Sequence, residues 1–198
     1  MNNTVYELRD NLYLNITNKC SCACVFCVRN GHDGVGGSGL WLDSEPSAEE
    51  VIARLRQYDV ESYGEAVFCG FGEPTEALDV LLAVARYIKS RYKIPLRLNT
   101  NGLSDLANGK KTVPLLAPYI DTVSISLNAS NAEDYAELCR PAFGALSFQA
   151  MLDFAVESRA HIAHTVFTIV DTLSLEEQAK CAEIADKLGI PLRVRVLI

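Results

Sequence analysis

Residues 19–29 read Lys-Cys-Ser-Cys-Ala-Cys-Val-Phe-Cys-Val-Arg, and three of the sulfurs, on Cys20, Cys24 and Cys27, fall in the spacing C-x3-C-x2-C. At that spacing one short loop can wrap three thiolates around one face of a metal cluster. Thiolates are the usual holders of iron–sulfur clusters, and three protein ligands on a cubane leave its fourth iron open. An open coordination position separates a working metal site from a closed structural one. Residue types alone also allow zinc, since four cysteines in eight residues would let Cys22 act as a fourth ligand. Structural zinc, however, usually draws its ligands from two separated pairs. The remaining thiols, Cys69, Cys139 and Cys181, are scattered along the chain, as small buried hydrophobes would be. Cys22 itself reads as a spacer whose side chain points away from the metal.

Those sulfurs need a scaffold, and the surrounding patterning predicts one. Residues 11–17 (NLYLNIT) alternate Leu12, Leu14 and Ile16 against Tyr13, Asn15 and Thr17, which predicts a first strand running straight into the cysteine loop. Residues 30–39 (NGHDGVGGSG) form a glycine-rich connection too irregular for an element, with no Gly-Lys-Ser/Thr to close a phosphate loop. It reads either as a flexible surface loop or as a lid over the metal with Trp41 packed beneath. Ser47 and Glu50 predict a capping box opening a helix to about Tyr58. A second strand is expected at 66–69. An amphipathic helix follows at 76–91, with Leu78, Leu81, Leu82, Ala85 and Ile88 on one face. A third strand at 95–100, a short helix at 113–117 and a fourth strand at 121–128 come next. Helices near 132–138 and 148–158 lead to a fifth strand at about 162–170. Ser174 with Glu177 predicts a second capping box, for a helix that Gly189 stops, and 191–198 (PLRVRVLI) reads as a sixth strand.

Strands alternating with helices over such crossovers predict an α/β fold with parallel pairing. Six strands are too few for the eight-fold barrel, which leaves an open doubly wound sheet or a partial, side-open barrel. Strands buried on both faces should be nearly continuous apolar runs, and several here are not. Leu12/Leu14/Ile16, Leu96/Leu98, Val123/Ile125/Leu127 and Leu192/Val194/Val196 form one set of faces. Tyr13/Asn15/Thr17, Arg97/Asn99/Asn101, Ser124/Ser126/Asn128 and Arg193/Arg195 form the other. Helices must cover the apolar faces, so the polar ones converge on the concave side. A dry core of unpaired Asn, Ser and Arg would cost several kcal/mol for each unsatisfied group, so the lumen is expected to be a polar cavity. Arg193 and Arg195, on a terminal strand, face either that lumen or solvent at the sheet edge.

At 198 residues, with 49% hydrophobic and 22% charged residues, the chain fits a single domain over 1–198 with a sizeable core. A formal charge of -7 argues against non-specific nucleic-acid binding. No apolar run approaches the ~20 residues of a membrane span, and the start, MNNTVYE, lacks a secretory pattern. Seven cysteines, an odd number, point to a reducing cytoplasm rather than a disulfide framework.

The C-x3-C-x2-C spacing, with Phe26 just before the last cysteine, resembles the radical SAM superfamily. The resemblance implies a partial (β/α)6 TIM-like barrel. It also implies a [4Fe-4S] cluster held by Cys20, Cys24 and Cys27, whose open iron chelates S-adenosylmethionine (SAM). One electron, from a reductant such as flavodoxin or ferredoxin, would cleave SAM to a 5′-deoxyadenosyl radical that abstracts hydrogen from a substrate; such cofactors carry chemistry that side chains cannot supply. Ligands in parallel α/β folds bind at the carboxyl ends of strands, and further matching segments lie there. Gly70-Phe71-Gly72-Glu73-Pro74 is similar to the family's GGEP motif, with Phe71 replacing the first of its paired glycines, and would offer backbone hydrogen bonds to the methionine amino group. Asn99-Thr100-Asn101-Gly102 resembles the segment that ends strand three, placing Asn99 and Asn101 at the cofactor. Ser126 and Asn128 fall where the family contacts ribose or carboxylate, and Phe26 and Val28 would flank the adenine.

The short length, Ser126-Leu127-Asn128-Ala129, and Tyr135 with Cys139-Arg140-Pro141 resemble the small radical SAM group associated with TatD-type hydrolases. His164 and Thr168 on strand five can face the lumen, although His164 can equally be an interior histidine. Cys139 reads as a buried thiol, with hydrogen-atom donation as its other reading. The expected substrate is small or mid-sized. Arg97, Arg193 or Arg195 would pair with an anionic group on it. Two other readings stay open: an activase that installs a glycyl radical on a partner protein, and a zinc-stabilised binding module without turnover.

Overall fold

Alternating strands sort the chain into a wet face and a dry one. The computed structural model describes residues 2–196. In chain order its strands are β1 (Val5–Leu8), β2 (Asn11–Leu14), β3 (Gly34–Val35), β4 (Ser38–Gly39), β5 (Ala66–Phe68), β6 (Leu96–Thr100), β7 (Thr122–Ser126), β8 (His164–Val170) and β9 (Leu192–Arg195). The helices are α1 (Ala48–Leu55), α2 (Leu78–Arg91), α3 (Ser104–Asn108), α4 (Val113–Leu116), α5 (Ala132–Cys139), α6 (Leu146–His161) and α7 (Leu175–Leu188). Seven strands form one sheet in the order β1-β2-β5-β6-β7-β8-β9, and β2 through β9 in that order are parallel. The expected six-stranded parallel array therefore forms, as a partial, side-open barrel.

Parallel register stacks the polar residues in rows across the sheet. Tyr13 lies beside Val67, Arg97, Thr122 and His164, while Asn99 lies beside Ser124 and Val166, and Ser126 beside Thr168 and Arg193. The intervening residues Leu12, Leu14, Phe68, Leu96, Leu98, Val123, Ile125, Phe167 and Ile169 are fully buried in the main core. On α2, Leu78, Leu81, Val84, Ala85 and Ile88 are buried in that core. Each large side chain so removed from water contributes about 1.5–3 kcal/mol.

Several local expectations need correction. β1, absent from the sequence reading, is a four-residue edge strand antiparallel to β2, joined to it through Arg9 in the left-handed region (φ 54). The glycine-rich connection contains the small hairpin β3–β4. α3 had no strong periodicity to announce it. Ser47 and Glu50 form both halves of their capping box, at 3.2 and 2.7 Å. At α7, Ser174 caps the Glu177 amide, but the Glu177 carboxylate instead accepts from the Ser130 amide at 2.7 Å, so the second box is only half made. The apolar set of the sixth strand is not covered as expected: Val194 is 48% and Val196 77% exposed. Among the described residues β9 pairs with β8 alone; Leu192 still packs against the main core, and Arg193 and Arg195 are exposed. Residues 197 and 198 of the expected strand lie outside the described residues.

Candidate active site

The cysteine loop leaves the carboxyl end of β2 and is held from three directions. At its entry, Thr17 Oγ1 donates to Glu45 at 2.6 Å and the Asn18 amide to the same carboxylate at 3.0 Å. Thr17 is 1% exposed, its hydroxyl spent on Glu45. From the end of β5, the Glu73 amide donates to the Lys19 carbonyl at 2.8 Å. From α5, the Ala23 amide donates to the Cys139 carbonyl at 3.0 Å and the Val25 amide to the Leu138 carbonyl at 2.9 Å, while the Ala142 amide donates back to Ser21 at 2.8 Å. A bridge between Cys22 and Pro141 completes this short ladder.

Glycines make the second approach possible. A Cβ on Gly72 would overlap the Thr17 and Lys19 carbonyls, and one on Gly70 would overlap the Asn15 amide group. Asn15, fully buried, donates to the Leu40 carbonyl at 2.8 Å and to Asn3 at 3.3 Å, and accepts from the Phe71 amide at 3.3 Å. Phe71 is buried in a small cluster with Tyr6, Leu40, Tyr13 and Val28. Its carbonyl accepts from Arg29 at 3.2 Å. Trp41 packs edge-on against Phe71 and under the Arg29 guanidinium, 44% exposed, on the outer side of the loop. Phe26 packs against the main core, so Phe26 and Val28 belong to different clusters.

Glu73 is 5% exposed, and its carboxylate is fully engaged within the protein. One oxygen accepts from the Thr75 amide and hydroxyl at 3.2 and 2.8 Å and from the Thr100 hydroxyl at 2.8 Å; the other accepts from the Asn101 amide at 2.7 Å. Burial pushes its pKa up against the pull of those donors. This carboxylate therefore ties the end of β5 to the end of β6. Asn101 benefits: its side-chain amide points at the loop, 3.4 Å from Ser21 Oγ, 3.6 Å from Cys22 Sγ and 4.0 Å from Cys20 Sγ.

The thiols are electrostatically unequal. Cys24 is drawn down to about 4, first by hydrogen bonding from the Cys139 thiol and then from Cys22, against its own burial. Cys20 is lowered chiefly by Cys22, while burial raises Cys27. Cys22 thus does not point away: it hydrogen-bonds toward Cys20 and Cys24, because the Cys22–Pro141 bridge folds the loop inward. Cys139 is the buried thiol expected, in the main core, and α5 brings it to Cys24. Cys181 is buried too, with its thiol pushed up to about 12. Cys69, half-buried, stands in the lumen row with Asn99.

The residues present suit a cubane. All four of the loop's thiols are half-buried, and a cubane takes its thiolates at separate iron corners, unlike a single ion. Among the described residues no three His, Cys, Asp or Glu side chains converge on a single-ion site. At the ends of β6 and β7, the buried side-chain oxygens of Asn99, beside Cys69, and Asn128, beside Cys139, lack any protein partner. Buried polar atoms are rarely left so, and these two can receive hydrogen bonds from a ligand. Ser126 lies half-buried in the same face, without a link to the loop. The sequence reading missed Asn15 and Arg29 as organisers. Their signal was only position: a polar residue inside strand one, and a base two residues past Cys27.

Residues 14–191 match the sequence profile of the radical SAM superfamily. Among curated proteins, the probable GTP 3′,8-cyclase of Thermococcus kodakarensis is 28% identical over 188 residues, covering 93% of this chain and 55% of its own. The GTP 3′,8-cyclase of Lactiplantibacillus plantarum is 29% identical over 166 residues, covering 83% and 46%. The chain thus spans about half the length of these relatives. Among solved structures, Streptococcus suis SuiB superposes with a TM-score of 0.69 at 19% identity, covering 96% of this chain and 40% of SuiB. Native anSMEcpe with bound AdoMet gives 0.64 at 16%, covering 94% and 51%. A radical SAM methyltransferase from Sphaerobacter thermophilus gives 0.60 at 16%, covering 97% and 68%. At these identities the structures speak for the fold.

Proposed function

The chain belongs to the radical SAM superfamily, and on that premise we propose that it cleaves SAM reductively at a [4Fe-4S] cluster, yielding a 5′-deoxyadenosyl radical that abstracts hydrogen from a small or mid-sized anionic substrate. The observation that carries this reading is the Cys20, Cys24 and Cys27 thiols on one loop, with the unpartnered Asn128 oxygen reaching that loop through Cys139. The three thiolates hold the metal. The backbone of residues 70–73, brought against the loop by Gly70 and Gly72, presents main-chain groups to the methionine end. Asn101 steadies the loop from β6, while Ser126 and Asn128 serve the ribose or carboxylate with a hydroxyl and an amide. Phe26 and Val28, which belong to different clusters, would each present one side to the adenine.

Lower in the lumen, Arg97 pairs with Glu65 at 2.5 Å yet leaves its buried Nε without a partner. A substrate anion would use that donor, with Arg193 and Arg195 at the open side. Relatives named for GTP support an anionic substrate, but at half their length GTP itself is not carried across. All seven cysteines are unpaired, and among the described residues no helix is long and apolar enough to cross a membrane. The unpaired thiols support a reducing, cytoplasmic setting with flavodoxin or ferredoxin as the reductant.

Anaerobic reconstitution, reduction with dithionite and chromatography for 5′-deoxyadenosine test the reading. Iron and sulfide should bind together, and the product should appear only with reductant and SAM. Zinc without iron or sulfide would favour the binding module instead. An intact cluster with no 5′-deoxyadenosine would overturn the proposal.

A further inference from the structure

We propose that the Cys139 thiol, held in place by Asn128, donates a hydrogen bond to the Cys24 sulfur and so raises the reduction potential of the cluster, an inference that rests on the cluster assignment above. Cys139 closes α5 and is 1% exposed, so no water competes for its proton. Asn128, also buried and in the left-handed region (φ 58), donates its side-chain amide to the Cys139 sulfur at 3.8 Å. That sulfur already accepts from one side, which leaves its S–H for the other, where Cys24 stands. The Cys139 and Cys24 side chains are in hydrogen-bonding contact.

The backbone fixes this contact independently of the side chains. Amides of Ala23 and Val25, the two neighbours of Cys24, donate to the carbonyls of Cys139 and Leu138. Arg140 then leaves the helix in the left-handed region (φ 45), sending the chain back along the loop to the Cys22–Pro141 bridge. Cys24 and Cys139 are therefore opposed across a two-rung ladder. Cys22 is a poorer donor to either ligand, because its single proton is shared between Cys20 and Cys24 and it is only half-buried.

A hydrogen bond to a ligand sulfur stabilises the more electron-rich, reduced cluster, and such bonds are among the factors that set cluster potentials. A thiol is a weak donor, but here it is dry and directed. Cys139 is thus a positioning and tuning residue that touches no reacting atom.

The test is a redox titration of the anaerobically reconstituted protein, followed by the electron paramagnetic resonance of the reduced cluster. Wild type is compared with Cys139→Val, which fills the space without a donor, Cys139→Ala, and Cys139→Ser, which keeps one. Iron and sulfide content should be equal in all four. The midpoint potential should shift negative in the Val and Ala variants, with Ser closer to wild type. Equal potentials at equal iron content would overturn the inference while leaving the cluster assignment intact. Loss of iron from Val, Ala and Ser alike, at unchanged melting temperature, would also overturn it, by making Cys139 a ligand. Failure of wild type to assemble a cluster would remove the premise, and this inference with it.

Discussion

Glu73 shows how one side chain can be conspicuous in a motif and yet work away from the ligand. Its four accepted hydrogen bonds reach Thr75, Thr100 and Asn101. Glu73→Gln keeps one carbonyl oxygen for the two Thr75 bonds and the Thr100 bond, but turns an NH2 toward the Asn101 amide. The expected loss is about 1–3 kcal/mol, from a buried donor left unpaired, read as a lower midpoint in urea unfolding. Because burial raises the carboxyl above its unfolded value of about 4.3, the folded state binds the proton more tightly. Stability from this group is then present below that value and declines as pH rises toward the folded one. Wild type should show that decline in unfolding curves taken upward from pH 4, and Glu73→Gln should lack it. A slope identical in the two proteins would refute the assignment.

At the scale of elements, the loop's geometry depends on how closely β5 and α5 approach it. Gly72→Ala sets a methyl against two carbonyls of the Thr17–Lys19 turn, and it should cut iron incorporation severalfold with little change in helix content by circular dichroism. Asn15→Ala removes the link among Asn3, Leu40 and Phe71. It should lower stability by about 2–4 kcal/mol in unfolding measurements, since up to three buried groups lose partners at about 1–3 kcal/mol each. Such approaches explain what was legible in the chain. Six parallel strands, the α1 and α2 helices and the cysteine spacing follow from periodicity and local chemistry, which a sequence displays directly. The inward turn of Cys22, the arrival of Cys139 at Cys24 and the tie from Glu73 to Thr100 and Asn101 come from contacts between residues 27 to 119 positions apart, which no local pattern encodes. β1 is four residues long, too short to assert an alternation. Ser174 and Glu177 carried the right spacing for a box, but a distant amide, that of Ser130, took the carboxylate.

Across the whole molecule, order is expected to fall toward β9. Strands β6 and β7 are flanked on both sides and nearly solvent-free on their helix faces, whereas β9 has one neighbour and exposed Arg193, Val194 and Arg195. Native-state hydrogen exchange should therefore find β9 amides opening first and those of β6 and β7 near the global limit. Uniform protection across the sheet would contradict this. The in-phase pairing of the strands carries a further consequence. A slip of one residue between β6 and β7 would swing Asn99 toward the helices and Leu98 toward the ligand space, breaking core and chemistry together. Odd and even positions of each strand thus answer to separate demands, and one set can be rewritten for a new substrate while the other keeps the frame standing.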